Sequence, residues 1–330
     1  MRLELEDIIG FGGYGESSKV YIGCVTSHPT TSTVVAVKRS RWAWKITNPM
    51  LRHEACALLM LRGHPNIPVV YAWDRSQGFE YLVMERLGRD LASSLASTGG
   101  LTMPNLVALT CQMLDAIQHV HAHHIVHCDI KPHNFLFDLN PASGLIKLID
   151  FGFARVYRDS STLEHVGEST MRHLIGTKAY ASLNVHLHHH NPSRRDDLES
   201  LAYTVVKLLC GALPWRDLRS ADTCAAKQKW FGSALCAGYP PVFGQFVDYV
   251  RALGFREAPG YNGWIRRFMA VAPQLRGHPL YDASDHGPRQ QTVRSHLDTI
   301  EKPPRSDLEG ETMLSDPLYA EWFPRLIAPM

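Results

Sequence analysis

Up to about residue 90 the hydrophobic positions fall in short β-branched and aromatic runs; beyond about residue 100 they recur at helical spacing. Thr33-Val34-Val35-Ala36-Val37 and Phe79-Glu80-Tyr81-Leu82-Val83-Met84 read as strands, as does Lys19-Val20-Tyr21-Ile22-Gly23. One helix interrupts them over Leu51 to Leu61, where Leu51, Ala55, Leu58, Leu59 and Arg62 share a face and Gly63 follows as a C-cap. From Thr102, with Pro104 just inside the start, Leu106, Leu109, Met113, Leu114, Ile117, Val120 and His121 trace an amphipathic helix. A second long apolar helix is expected from about Asp197 to Cys210. Between the two, Phe135-Leu136-Phe137 and Ile146-Lys147-Leu148-Ile149 read as a small hairpin bridged by Asn140-Pro141-Ala142-Ser143-Gly144.

The layout is strand-rich first and helix-rich second, and a join of that kind is a common place for a ligand cleft. No repeat at solenoid or propeller periods is visible. After about Arg276, Gly277, Pro279, Gly287, Pro288, Pro303 and Pro304 among many charges predict a flexible tail. Its stretch Ser315 to Ile327, with Pro317, Leu318, Trp322 and Phe323, predicts a short amphipathic helix that docks on the body or on a partner.

Composition narrows the function classes. The 330 residues carry 34 Lys+Arg against 32 Asp+Glu, a formal balance of +2, which argues against nucleic-acid binding driven by bulk charge. A hydrophobic share of 45% is that of a globular chain long enough for one large domain or two lobes. Cys24, Cys56, Cys111, Cys128, Cys210, Cys224 and Cys236 are scattered and never in a CxxC pair, so neither a disulfide framework nor a structural zinc site is expected. The charged start MRLELEDIIG lacks the apolar stretch of a signal peptide, and no apolar run approaches the roughly 18 residues of a membrane span. The expectation is a cytoplasmic protein, with the nucleus as a second compartment.

Gly10-Phe11-Gly12-Gly13-Tyr14-Gly15 is a GxGxxG between two strand-like segments. A dinucleotide fold would require a helix after it; a strand-turn-strand glycine loop is the form that covers ATP phosphates, and a plain Gly-rich hairpin has the same spelling. Val35-Ala36-Val37-Lys38 is close to the V-A-I-K strand signature, and Glu54 downstream can hold the lysine. The decisive segment is His127-Cys128-Asp129-Ile130-Lys131-Pro132-His133-Asn134, followed 16 positions after Asn134 by Asp150-Phe151-Gly152. Phosphoryl transfer needs a carboxylate for the acceptor hydroxyl proton, here Asp129, and a lysine to neutralise the γ-phosphoryl, here Lys131. It also needs oxygen ligands that hold Mg²⁺ against the phosphates, and Asn134 and Asp150 supply them. These signals in this order point to an α+β, bilobal protein-kinase fold.

At this point the chain resembles the casein kinase I family of Ser/Thr protein kinases, over roughly Asp7 to Leu275. The resemblance rests on Asp129-Ile130-Lys131-Pro132, Asn134-Phe135-Leu136 and Asp150-Phe151-Gly152-Phe153-Ala154-Arg155 with Tyr157-Arg158-Asp159. It rests further on Gly176-Thr177, Tyr180-Ala181-Ser182-Leu183-Asn184, Leu213-Pro214-Trp215, and above all Ser193-Arg194-Arg195-Asp196-Asp197-Leu198-Glu199-Ser200-Leu201. Ala181-Ser182-Leu183-Asn184 stands where most other kinases carry A-P-E.

The resemblance implies a kinase domain over 7–275, with an N-lobe to about residue 84, a hinge over 85–88 and a C-lobe from 89, followed by a tail over 276–330. It implies that Gly10, Gly12 and Gly15 cover ATP, that Lys38 pairs with Glu54, and that Val20, Ala36 and Leu136 surround the nucleotide. Met84 becomes the gatekeeper, and the backbone of Glu85 and Leu87 bonds adenine. Asp197 anchors the catalytic loop. The family prefers Ser or Thr preceded by acidic or phosphorylated residues, for which Arg172, Lys178, Lys227 and Lys229 are the basic candidates. The implied partners are protein substrates, with neither nucleic acid nor a membrane anchor, and the implied state is a monomer.

The chain departs from the family pattern at Glu16-Ser17-Ser18-Lys19, which lengthens the glycine loop, and at Cys128, His133 and Ala179, where arginine, an acidic residue and arginine are usual. The longer glycine loop, Cys128 and Ala179 motivate the alternative of a pseudokinase that binds without catalysing, whereas His133 reads as a surface variation. A small-molecule phosphotransferase is disfavoured by the Tyr180 to Leu201 stretch. The cluster His186, His188, His189, His190 reads as a solvated loop rather than a metal site, and His119, His121, His123 and His124 read as helix-end and turn residues.

Overall fold

The structure is a computed structural model that describes residues 2–11, 18–28, 31–41, 50–98, 100–171, 174–188 and 190–288. The first lobe is an antiparallel sheet of β1 (Arg2–Phe11), β2 (Ser18–His28), β3 (Thr31–Arg41), β4 (Val70–Ser76) and β5 (Phe79–Glu85), in the order β1-β2-β3-β5-β4. The two-residue period of β3 sorts its side chains: Val35 and Val37 join Tyr21, Val25 and Val83 in a small cluster on one face, while Ala36 joins Leu51, Ala55 and Leu58 on the other. Lys38 lies two residues from Ala36 and therefore points the same way, to the face covered by helix α1 (Met50–Met60). The helix predicted over Leu51 to Leu61 is this one, and Gly63 follows it at φ +97°.

The second lobe is helical. It comprises α2 (Leu91–Thr98), α3 (Met103–Ala122), α4 (Leu183–His188), α5 (Arg194–Cys210), α6 (Ser220–Lys229), α7 (Gly232–Leu235), α8 (Pro241–Ala252) and α9 (Tyr261–Met269). Thr102 caps α3 as expected, its Oγ1 accepting from Asn105 N at 3.3 Å. Helix α5 begins three residues before the expected Asp197, because Ser193 and Asp196 close its first turn, with Ser193 N donating to Asp196 Oδ2 at 2.8 Å. Nearly all of α5 is buried, which makes it the central column of the lobe. Short strands β6 (Ile125–Val126) and β9 (Arg155–Val156) pair with each other, and β7 (Phe135–Phe137) pairs with β8 (Ile146–Leu148) in the predicted hairpin.

The chain past Arg276, expected to be a flexible tail, stays on the body as far as Gly287. Gln112, fully buried on α3, explains part of this: Nε2 donates to the carbonyls of Gly144 (2.9 Å) and Pro279 (3.2 Å). Its Oε1 accepts from Asn66 Nδ2 (3.1 Å) and Ile146 N (3.0 Å), so all four of its hydrogen-bonding positions are occupied. Tyr281 N donates to Gly144 O at 3.0 Å and its ring lies 4.8 Å from that of Phe137. Asn105 and Asp282 exchange two further bonds, at 2.8 and 2.7 Å. The helix expected at Ser315 to Ile327 lies outside the described residues. Among those residues no helix is long and apolar enough to cross a membrane.

Candidate active site

The chemistry-bearing residues converge where the sheet meets the helical lobe. Lys38 Nζ lies 2.7 Å from Glu54 Oε2 and 2.8 Å from Asp150 Oδ1, with Lys38 and Glu54 6% and 2% exposed. Burial alone would discharge the lysine, but the charges of Asp150 and Glu54 outweigh it and raise its pKa. Two carboxylates share this one cation. Burial pushes Glu54 up despite Lys38, whereas Asp150, also opposed by burial, is held below its ordinary value by the Lys38 charge and hydrogen bond. Helix α1 is further tied to the second lobe by His53, whose Nε2 is 2.8 Å from Ala154 O.

Asp150 sits in the left-handed region at φ 65°, and Cys128 does so at φ 68°. Both are non-glycine residues, so the surrounding contacts must hold them there. For Asp150 the holding contact is Phe151, fully buried with its ring 4.7 Å from that of His127. For Cys128 it is Asp197, whose Oδ1 accepts from Cys128 N at 2.8 Å and whose Oδ2 accepts from His127 N at 2.6 Å. His127 itself is oriented: Asp129 N donates to Nδ1 at 3.2 Å, which leaves the proton on Nε2, 3.0 Å from Ile149 O. Burial pushes the Cys128 thiol well up, so it stays protonated beside Asp129.

Three groups meet at the candidate base. Lys131 Nζ donates to Asp129 Oδ2 at 2.7 Å and to Thr177 Oγ1 at 2.9 Å. Thr177 in turn donates to Asp129 Oδ1 from its N–H (2.8 Å) and its hydroxyl (2.7 Å). Asn134 Nδ2 donates to Asp129 O at 2.8 Å, which fixes the amide and leaves its Oδ1 as a ligand atom. That amide oxygen and the Asp150 carboxylate are hard oxygen donors of the kind Mg²⁺ takes, so the residues present fit the ion.

The nucleotide candidates fall on both sides of this cluster. Val20, Ala36 and Met84 contribute to the core under the sheet, with Ala36 opposite Met84 in the β3–β5 register. Glu85 N donates to Val69 O at 2.8 Å, and Leu87, two residues on, is half-buried. Leu136 lies on β7, held to this stretch by Gly88 N donating to Phe137 O (2.8 Å) and Phe137 N donating to Arg89 O (3.0 Å). Gly10 is opposite Val20 between β1 and β2. Gly12 and Gly15 lie outside the described residues, as does Arg172.

The basic candidates do not form one pocket. Lys227 is fully buried and its Nζ donates to the carbonyls of Lys178 (3.0 Å) and Ala181 (2.6 Å), so it faces no substrate. Lys178 Nζ donates to Leu218 O at 2.6 Å. Lys229 alone of the three described is exposed, at the end of α6. The histidine readings also need correction. His186 is not in a solvated loop: it lies on α4 with Nε2 3.0 Å from Lys178 O. His121, read as a helix-end residue, is a partner of the anchor, with Nε2 2.9 Å from Asp197 Oδ2 and Nδ1 2.5 Å from Tyr261 Oη. Its spacing marked it as core-facing, but nothing in the chain pairs it with a residue 76 positions away. Among the described residues no cluster of His, Cys, Asp or Glu could hold a metal by itself, and all seven cysteines are free.

A five-stranded lobe, a helical lobe and two lysines, three carboxylates and an asparagine at their junction define a protein kinase domain. A sequence model of the protein kinase domain matches residues 3–234, and the chain belongs to that family.

Proposed function

We propose that this protein is an active, ATP- and Mg²⁺-dependent Ser/Thr kinase of casein kinase I type. The observation that carries the reading is the closed triangle of Asp129, Lys131 and Thr177, with every edge between 2.7 and 2.9 Å. A carboxylate held in this way is oriented before any substrate arrives, and preorganisation is most of what phosphoryl transfer asks of a protein. Lys38, kept cationic between two carboxylates, binds the α- and β-phosphates. Asn134 and Asp150 would hold Mg²⁺, which would supply positive charge to neutralise the phosphates. Asp129 accepts the proton of the acceptor hydroxyl, and Lys131 turns from Asp129 to the charge on the transferring group.

Basic residues set the substrate class. With Lys227 turned inward, Lys178 capping a carbonyl and Ala179 in place of an arginine, the face beside Lys229 suits acidic side chains better than a phosphate gripped by several cations. We therefore assign acidic Ser/Thr segments of proteins as substrates, taken by a monomer. The test is transfer of radiolabel from γ-labelled ATP to casein by the wild type and by Asp129→Asn. Loss of about 10²-fold or more in the variant, with label on serine and threonine, is expected. Equal labelling by both proteins, or none by either, overturns the catalytic reading and returns the chain to a binding scaffold.

A further inference from the structure

The stretch from Thr177 to Leu183 is tied down by side chains, residue after residue. Thr177 bonds Asp129; Trp215 Nε1 donates to Ala179 O at 2.8 Å; Ser182 Oγ donates to Asp196 Oδ1 at 2.5 Å; Leu183 N donates to Glu199 Oε1 at 2.9 Å. Two further carbonyls of the stretch, those of Lys178 and Ala181, are both taken by Lys227. This amine reaches from α6 into a closed compartment, with Nζ 4.9 Å from the Tyr203 ring centroid and 5.6 Å from that of Trp215. Both rings and the lysine are fully buried.

A buried ammonium ordinarily sits on a carboxylate. Here, among the described residues, none lies within ion-pair distance of Nζ, although Glu199 is near enough to favour the charge. The other ionisable groups around it are His186 on α4, Tyr203 on α5, Cys224 on α6, Arg251 on α8 and Lys178. Burial outweighs Glu199 and lowers the amine to about 7. His186 Nε2 is 3.2 Å from Nζ and 3.0 Å from Lys178 O, so the imidazole edge lies against both the amine and one of the clasped carbonyls. Charged or neutral, the amine carries at least the two N–H groups that the two carbonyls need.

We propose that Lys227 is a positioning residue whose buried amine clasps the Lys178 and Ala181 carbonyls and thereby holds the substrate-facing stretch in register with Asp129. The proposal rests on the kinase reading above for its consequence in catalysis, and on geometry alone for the clasp. Lys227→Met keeps the apolar stem and burial and removes the donors. It is expected to raise KM for an acidic acceptor peptide about tenfold, the scale of two lost hydrogen bonds, with KM for ATP within about twofold of wild type. Amide exchange at Tyr180 and Ala181, whose N–H groups bond Thr177 O at 2.8 and 2.9 Å, is expected to accelerate. Unchanged exchange, or faster exchange with an unchanged peptide KM, overturns the proposal. Should the variant not fold, the wild type decides: Tyr180 and Ala181 amides exchanging as fast as those of an exposed loop refute the clasp, and exchange as slow as in α5 supports it. A wild type without transferase activity overturns the kinase reading and leaves exchange to judge the clasp.

Discussion

His121 Nε2 lies 2.9 Å from Asp197 Oδ2, and the same oxygen accepts from His127 N at 2.6 Å, so one carboxylate joins helices α3 and α5 to the catalytic loop. Burial raises the cost of the Asp197 charge, but the hydrogen bonds it accepts from His121 and from the His127 backbone offset it and hold the carboxyl below its ordinary value. Burial keeps His121 itself low, hence neutral and donating. Asp197→Asn puts an NH2 against donors that need an acceptor, which costs about 1–3 kcal/mol for each unsatisfied buried group. Chemical denaturation should show that loss, and transfer activity should fall further than stability accounts for, because Cys128 loses the bond that holds its left-handed backbone. Wild-type activity in the folded variant would refute the anchoring role.

Two buried histidines make stability depend on pH. His53 and His121 are both lowered by burial. A histidine depressed in the folded state contributes stability that is complete above its unfolded value of about 6.5, and that is lost as pH falls from there toward the folded value. The urea midpoint should therefore drop between pH 7.5 and pH 5.5, and His53→Gln should flatten the dependence. Asp197 acts in a lower window: a depressed carboxyl contributes above about 4 and loses its contribution below. A flat midpoint down to pH 5 would contradict the neutral assignments.

How much of this could be read from the chain differs between the two kinds of contact. Lys38, Glu54, Asp129, Asn134 and Asp150 were legible because their residue types and order follow from the reaction, and the β3 alternation places Lys38 on the inner face. The charge of Lys227 was legible too, but its direction was not. A lysine among Ala225, Ala226, Gln228 and Lys229 reads as exposed, and only the packing of Tyr203 and Trp215 shows that its stem has an apolar compartment and its amine two carbonyls. Long-range partners such as His121 with Asp197, or Gln112 with Pro279, leave no local signature, since each is satisfied by a residue brought in by the fold.

Gly144 tests the strap at the end of the described chain. Its φ is +62°, and a Cβ there would lie 2.4 Å from Tyr281 O, a backbone atom that can give way only if the strap lifts. Gly144→Ala combines a disfavoured backbone with that overlap and should cost about 1–3 kcal/mol. A calorimetric scan should show a lower Tm. Because Phe137 contacts both Tyr281 and the Gly88–Arg89 backbone, KM for ATP should rise as well, and Tyr281→Ala should reproduce that rise without the backbone strain. An unaltered Tm for Gly144→Ala would mean that the strap is not seated against the hairpin.

Thr177 separates orientation from charge at the candidate base. Its N–H and hydroxyl both bond Asp129 Oδ1, and its Oγ1 accepts from Lys131. Thr177→Ala removes the hydroxyl bonds and keeps the N–H bond, so Asp129 retains its charge and one of its two restraints on that oxygen. The expected result is a fall in kcat of about 10-fold, with KM for ATP little changed, because a carboxylate free to rotate loses alignment without losing basicity. Thr177→Ser restores the hydroxyl and should recover most of the rate, whereas Thr177→Val, equal in shape to threonine, should behave as Thr177→Ala. Full activity in the valine variant would show that the triangle is incidental, and that Lys131 and the N–H of residue 177 suffice to hold Asp129.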